Sequence, residues 1–258
     1  MRKMALVTGA GHGIGFALAE GLARRGYDLF LVALHRDDLD KISASLSLKY
    51  QVECHAMDID LTQPGACQSV FETFARTNGD LRILVNNAGM GSTAPFLSLA
   101  PSFYEKQIQL NVMVPVVLTR LFLPELMQRS KAHILNVSSL GSHIEVPDKS
   151  VYLASKAFMD SFSGSLRLSL SGSNVHVTVV SPGPVNTNDR VRGTNARLKG
   201  LSARMILEPE EVAEQALAAM FENRSLIIPG RLNRLLYQLQ NLLPSKWRSK
   251  LVSDRMRN

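Results

Sequence analysis

Tyr152 and Lys156 stand four residues apart in the run Val151-Tyr152-Leu153-Ala154-Ser155-Lys156. On a helix that spacing puts the phenol and the ammonium on one face, a turn apart. A cation beside a phenol favours the phenolate and lowers the tyrosine pKa toward a range useful in proton transfer. Many surface helices carry Tyr-x-x-x-Lys, so the pair gains meaning from its company. Ser138-Ser139 ends an apolar run thirteen residues before the tyrosine, and Asn86-Asn87-Ala88-Gly89 ends an earlier one. Asn111 sits on the helical stretch between them.

A second group lies near the start. Thr8-Gly9-Ala10-Gly11-His12-Gly13-Ile14-Gly15 follows a first apolar run and opens a helical pattern. Glycines placed this way let the backbone turn tightly and approach a pyrophosphate at the positive end of a helix.

These groups require a scaffold that gathers them. Short apolar runs occupy Met4–Thr8, Asp28–Leu34, Val52–Met57, Leu81–Asn86, Ala132–Ser138, Val175–Ser181 and Ser225–Pro229. Most are near-continuous Val/Ile/Leu segments, as expected of strands buried on both faces of a parallel sheet. Between them apolar residues recur at helical spacing, as in Ile14-Leu18-Leu22, Val70-Phe74 and Val212-Ala216-Leu217-Met220. Strand–helix alternation repeated this often predicts right-handed crossovers and an α/β fold. The expected architecture is a Rossmann-type doubly wound parallel sheet of about seven strands with helices on both faces. It forms one catalytic domain over residues 1–230. Residues 188–206 break the alternation after Pro182-Gly183-Pro184 and read as a mobile lid over the sheet. Residues 231–258 form a basic amphipathic segment, with Leu232, Leu235, Leu236, Leu239, Leu242 and Leu243 on one helical face until Pro244.

Composition narrows the function classes. The 258 residues are 45% hydrophobic and 20% charged, ordinary for a globular chain with a sizeable core. The net charge of +7 is unevenly spread: residues 231–258 hold seven Lys/Arg against one acid, Asp254, and the rest is nearly neutral. Nucleic-acid binding is therefore not expected. Cys54 and Cys67 are too few for a disulfide framework or a zinc site, and read as reduced core thiols of a cytoplasmic protein. No metal site is expected. Neither a signal peptide nor a membrane-spanning helix is expected, for want of an uninterrupted apolar run. Arg24-Arg25 reads as a solvated helix end.

Taken together, the glycine turn, Asn86–Gly89, Asn111, Ser139 and the Tyr152/Lys156 pair resemble the short-chain dehydrogenase/reductase family over about residues 4–230. The resemblance implies an NAD(P)-dependent oxidoreductase acting on a carbonyl or secondary alcohol. It makes Tyr152 the general acid, and has Lys156 lower its pKa and hold the nicotinamide ribose. Ser139, rather than Ser138, would bond the substrate oxygen, and Asn111 would support a proton relay to the lysine. Cofactor contacts would come from Gly9, Gly11, His12, Gly13, Ile14, Gly15, Asp60, Leu61, Asn87, Ala88, Gly89, Pro182, Gly183, Val185 and Thr187. Asp60-Leu61 would lie by the adenine, with Asp58 as a substitute, and Thr187 by the carboxamide.

The end of the second strand, Val32-Ala33-Leu34-His35-Arg36, lacks the acid that NAD-preferring members place there. With His35, Arg36 and His12 as a phosphate clamp, NADP(H) is expected over NAD(H); Leu34 departs from the arginine often found in NADP-preferring members. Arg190, Arg192, Arg197, Lys199 and Arg204 in the lid suit an anionic carrier, as do Arg129 and Lys131 before the fifth strand. The expected substrate is a hydrophobic ketone or 3-oxoacyl thioester. A hydroxysteroid-type dehydrogenase and a non-catalytic NAD(P)-binding scaffold are the alternatives. The resemblance also implies a homodimer or homotetramer built on residues 102–130 and 150–172. The C-terminal segment has three readings: packing on the domain, covering a partner subunit, or peripheral membrane contact with Trp247 as anchor.

Overall fold

The computed structural model describes residues 2–34, 38–144 and 146–242. Seven parallel strands run β1 Lys3–Thr8, β2 Asp28–Ala33, β3 Cys54–Asp58, β4 Asp80–Asn86, β5 Ala132–Val137, β6 Val175–Val180 and β7 Leu226–Ile227. Their spatial order is β3-β2-β1-β4-β5-β6-β7, so the winding reverses between β1 and β4. That reversal opens a crevice at the carboxyl ends of the strands, where the glycine turn and Asn86–Gly89 both emerge. The expected fold is the observed one.

Ten helices accompany the sheet among the described residues: α1 Gly13–Ala23, α2 Leu39–Tyr50, α3 Ala66–Ala75, α4 Pro101–Ile108, α5 Val114–Met127, α6 Ser150–Ser169, α7 Asp189–Asn195, α8 Gly200–Ala203, α9 Pro209–Phe221 and α10 Arg231–Leu242. Two apolar layers result because β1, β2, β4, β5 and β6 send alternate side chains to opposite faces. Leu18 and Leu22 of α1 meet Leu217 and Met220 of α9 on one face; Val70, Phe74, Leu118 and Phe122 of α3 and α5 fill the other. Each layer buries residues that are 0 to 2% exposed, at roughly 2 kcal/mol for a large apolar side chain.

The strand ends differ from the sequence reading by one or two residues, except at β7, which keeps only Leu226–Ile227 of the expected five. Four other expectations change. Arg24 and Arg25 do not simply face water: both reach Glu214 of α9, at 2.8 and 2.7 Å, and tie α1 to α9. The segment 188–206 contains α7 and α8, because Asn188 caps α7 by accepting from the Val191 amide. The continuous helical run Pro101–Met127 is long and apolar enough to cross a membrane, with a mean hydropathy of 1.5. Scattered polar residues hid it from a search for an uninterrupted run; Leu118, Phe122 and Leu126 within it cover the sheet.

The leucine stripe of α10 divides rather than facing inward as a unit. Asn233 is buried and Tyr237 half-buried, while Leu235 and Leu239 are about half exposed. Leu232 and Leu236 are half-buried beside Asn233 and Tyr237, so the buried face is mixed, with Asn233 bonded to the Met205 and Pro229 carbonyls and Tyr237 packed on the His143 ring. His35, Arg36, Trp247 and the segment from Leu243 onward lie outside the described residues.

Candidate active site

The glycine turn is shaped by close backbone approaches. Gly9 and Gly13 have φ of +66° and +57°, the left-handed region where a side chain is strained. A Cβ at Gly15 would stand 2.0 Å from the Gly9 carbonyl oxygen, and one at Gly13 2.9 Å from the Thr187 Cβ. The N-terminus of α1 has no side-chain cap at His12, which is exposed at the mouth of the turn. A narrow backbone cradle at a positive helix end fits a pyrophosphate, and Gly11 and Ile14 are half-buried within it.

Thr8 and Asn87 join the two strands that flank the reversal. The Thr8 hydroxyl donates to the Val85 carbonyl and accepts from the Asn87 and Ala88 amides at 3.0 and 3.1 Å. The Asn87 side chain donates to the Thr8 and Gly9 carbonyls. A layer below, the Asn86 amide donates to Asn136 at 2.8 Å, and Asn136 donates to Ser163 of α6. Asn136 was not singled out from sequence, since an isolated Asn in an apolar strand gives no spacing signal.

Helix α6 brings Tyr152 and Lys156 to the crevice. The Ser139 side chain lies beside the Tyr152 phenol, near enough to lower its pKa. Ser138, by contrast, turns away and donates to the Lys156 carbonyl at 2.9 Å. Ser139 also accepts from the Gly141 amide and so caps the one-turn helix Leu140–His143. The Lys156 ammonium is buried and donates to the Val137 carbonyl at 2.8 Å. Burial pulls its pKa down to about 8, against the opposing Asp160 carboxylate. Burial raises the Tyr152 phenol, and Ser139 works the other way. The ammonium stands 6.0 Å from the ring centre and is committed to Val137. A phenol held above its ordinary pKa stays protonated at neutral pH and can donate.

Asn111 lies in a π-helical turn, Gln109–Met113, between α4 and α5. Its side chain donates to the Met90 carbonyl and Ser155 hydroxyl, both at 2.9 Å, and accepts from the Met90 amide at 2.9 Å. It thus fastens the Gly89–Gly91 loop to α6. A Cβ on Gly89 would stand 3.1 Å from Asn111 Oδ1 and 3.3 Å from Lys156 Nζ, which places the three together. Gly91, absent from the sequence reading, packs on the Tyr152 ring; a Cβ there would lie 3.2 Å from two ring carbons.

The remaining expected residues are dispersed around this centre. Pro182 accepts from the Leu140 amide, Gly183 packs on Asn233, and Val185 is buried and bridges to Leu207. The Asp60 carboxylate is engaged by Thr62 and Gln63 in its own turn, beside a buried Leu61. Arg129 is paired with Asp80 and Glu125 at 3.1 and 2.6 Å, so its charge serves the fold rather than a carrier. Arg192 is likewise paired with Glu208 at 2.9 Å. Burial raises the Cys54 thiol to about 12 and also raises Cys67, leaving both protonated and unreactive at neutral pH.

A family model described as short chain dehydrogenase matches residues 3–196. The chain belongs to that family. It is accordingly an NAD(P)-dependent oxidoreductase. It is 30% identical over 253 residues to a dehydrogenase/reductase SDR family protein 7-like of Anopheles gambiae, covering 94% of this chain and 80% of that one. With the very-long-chain 3-oxoacyl-CoA reductase of Bos taurus it shares 36% identity over 184 residues, 70% of this chain and 58% of the relative. The chain thus spans under two thirds of that reductase's length.

Solved members of the family have the same architecture. A short-chain dehydrogenase from Sphingobium yanoikuyae in complex with NADPH superposes with a TM-score of 0.79 at 29% identity, over 95% of this chain and 97% of that one. A Burkholderia phymatum member in complex with NAD gives 0.81 at 25%, over 93% of each chain. The bulky-bulky ketone specific alcohol dehydrogenase from Comamonas testosteroni gives 0.77 at 28%, over 94% and 93%.

Proposed function

We propose that this protein is an NADP(H)-dependent reductase of a hydrophobic ketone or 3-oxoacyl thioester, with Ser139, Tyr152, Lys156 and Asn111 as its proton-transfer centre. The observation that carries the reading is the placement of the Ser139 side chain beside the Tyr152 phenol, with a buried Lys156 next to them. Two hydroxyls converging in this way can both bond one carbonyl oxygen. Ser139 orients that oxygen, and the Tyr152 phenol donates the proton as negative charge develops on it. A scaffold that only bound the cofactor would have no use for the acid.

The bound nicotinamide supplies the hydride. Gly9, Gly11, Gly13, Ile14 and Gly15 would hold its pyrophosphate, Asn87, Ala88 and Gly89 the adjoining ribose, Lys156 and Tyr152 the nicotinamide ribose, and Pro182, Gly183, Val185 and Thr187 the nicotinamide. Asp60 and Leu61 would lie by the adenine. NADP(H) preference is supported by the exposed His12 at the glycine turn and by the sequence His35-Arg36 after β2.

The substrate reading draws on the 3-oxoacyl-CoA reductase relatives and on the lid. Leu198 and Leu201 are partly exposed there, among exposed Arg190, Arg197, Lys199 and Arg204. Apolar and cationic groups side by side suit an acyl chain on an anionic carrier. A panel of ketones and 3-oxoacyl thioesters of rising chain length, followed by NADPH absorbance, tests the assignment. The expected result is a kcat/KM that climbs with chain length and exceeds that with NADH. Equal turnover of short polar ketones, or a preference for NADH, would refute it.

We also infer a cytoplasmic protein with peripheral membrane contact through α10 and the basic tail, supported by the outward Leu235 and Leu239 beside exposed Arg231. Flotation with anionic vesicles should carry the full chain and leave a form ending at Pro229 behind. A homodimer or homotetramer through residues 102–130 and 150–172 is supported by exposed Met113, Met127, Phe158 and Leu168. Light scattering after size exclusion should return a multiple of 28.4 kDa.

A further inference from the structure

Asp160 lies on α6 one turn beyond Lys156 and two beyond Tyr152, and so shares their face. Its carboxylate gathers three segments. Oδ1 accepts from the Ser181 hydroxyl at 3.1 Å, where β6 passes into Pro182-Gly183. Oδ2 accepts from the Ser142 hydroxyl, in the turn immediately behind Ser139. The same Ser142 oxygen stands 2.6 Å from the Ser139 carbonyl, and His143 Nε2 lies 3.5 Å from Oδ2. Ser142 has one proton, and an ionised carboxylate is the stronger acceptor. The Asp160 side chain is only 17% exposed, an expensive place for a charge unless its lone pairs are met. Two hydroxyl donors meet them.

None of these contacts involves the Ser139 or Tyr152 hydroxyl itself. The cluster joins the helix that carries Tyr152 to the turn that carries Ser139, behind the two hydroxyls that must converge on one oxygen. We propose that Asp160, acting through Ser142, is a positioning residue that sets the distance between Ser139 and the Tyr152 phenol. Ser181 holds the cofactor-side segment to the same carboxylate, so the serine turn, the acid helix and the Pro182-Gly183 segment are fixed at one point. The need for such a bolt is chemical: a misplacement of about 1 Å between reacting groups costs on the order of a hundredfold in rate.

The inference rests on the proposed roles of Ser139 and Tyr152, and its test separates the two. Ser142→Ala breaks the link while keeping the Asp160 charge beside Lys156; Asp160→Asn is the companion variant, nearly equal in shape. In full-length enzyme turning over its best carbonyl substrate, each lowers kcat by about tenfold, with NADPH affinity within about twofold of wild type. In a Ser139→Ala background the same changes cost less than about twofold, because the group they position is gone. Equal losses in both backgrounds, or no loss in either, overturn the proposal, since a residue serving only stability acts alike in both.

A second readout needs no substrate. Ultraviolet titration of the cofactor-bound protein, taken as a difference against Tyr152→Phe, reports the phenolate. Ser142→Ala should move that titration upward with Ser139 present and leave it in place with Ser139→Ala. Wild-type enzyme that reduces no member of the carbonyl panel defeats the substrate reading, while this titration still decides the role of Asp160. An unmoved titration defeats the Asp160 proposal alone.

Discussion

The Lys156 ammonium donates to the Val137 carbonyl at 2.8 Å, so the cation of the proposed proton-transfer centre is held by the end of β5. Its folded pKa of about 8 lies below the ordinary 10.5 because burial disfavours the charge. Between those values the unfolded chain binds the proton and the folded one releases it, so this group makes stability rise with pH across that window. Below pH 8 the full cost is present, on the order of 3 kcal/mol. Lys156→Met should therefore stabilise the cofactor-free protein at pH 7, lose most turnover, and converge with wild type above pH 10.5 in denaturant melts. A pH-independent difference between the two proteins would contradict the burial argument.

Gly91→Ala tests the seating of the phenol. Its Cβ would press on two Tyr152 ring carbons at 3.2 Å. Tilting the ring should lower kcat by about tenfold with little change in cofactor affinity. Unchanged kcat would mean that the ring has slack.

His133 sets an acid limit. It is 3% exposed in β5, and burial, helped by Lys131 and His176, takes its pKa from 6.5 down to about 4. Between pH 6.5 and 4 the unfolded chain takes up the proton that the folded one refuses, so stability falls as pH falls through that range. His133→Leu should flatten this slope by up to about 3 kcal/mol. Urea melts at pH 4.5 and 7 measure it, and an unaltered slope would rule His133 out as the cause.

Asn233 joins α10 to the segment 188–206, proposed as the lid. Its amide donates to the Met205 and Pro229 carbonyls, both at 3.1 Å, and its side chain packs on Gly183. Asn233→Ala strands the buried Pro229 carbonyl and the half-buried Met205 carbonyl, at about 1–3 kcal/mol of stability. It should also raise KM more than it lowers kcat, since Met205 of the proposed lid and the Pro182-Gly183 segment lose a common anchor. A fall in stability with unaltered KM would confine Asn233 to the fold.

Much of this was legible in the sequence because it is local. Runs of buried Val, Ile and Leu mark the central strands, and four-residue spacing puts Tyr152 and Lys156 on one face. What stayed hidden depends on distant partners. The Asp160 carboxylate meets residues 18 and 21 positions away, and neither Ser142 nor Ser181 carries a pattern that announces it. The π turn at Asn111 breaks a helical period that the sequence reads as continuous. The α10 leucines have helical spacing, yet spacing cannot tell which of them meet the domain: Leu232 and Leu236 are half-buried while Leu235 and Leu239 face out. The sequence reads Arg24 as solvated and Arg129 and Arg192 as open to an anionic carrier, because the acids that pair with them are distant in the chain or on other elements.

The central claim is that Tyr152 donates the proton to a hydrophobic carbonyl in an NADPH-dependent reduction. Its most direct test is single-turnover oxidation of enzyme-bound NADPH by a long-chain 3-oxoacyl thioester, in wild type and Tyr152→Phe. The account predicts that the variant binds NADPH as tightly as wild type while its rate falls by about 10²- to 10⁴-fold. A variant that oxidises NADPH at the wild-type rate would contradict it.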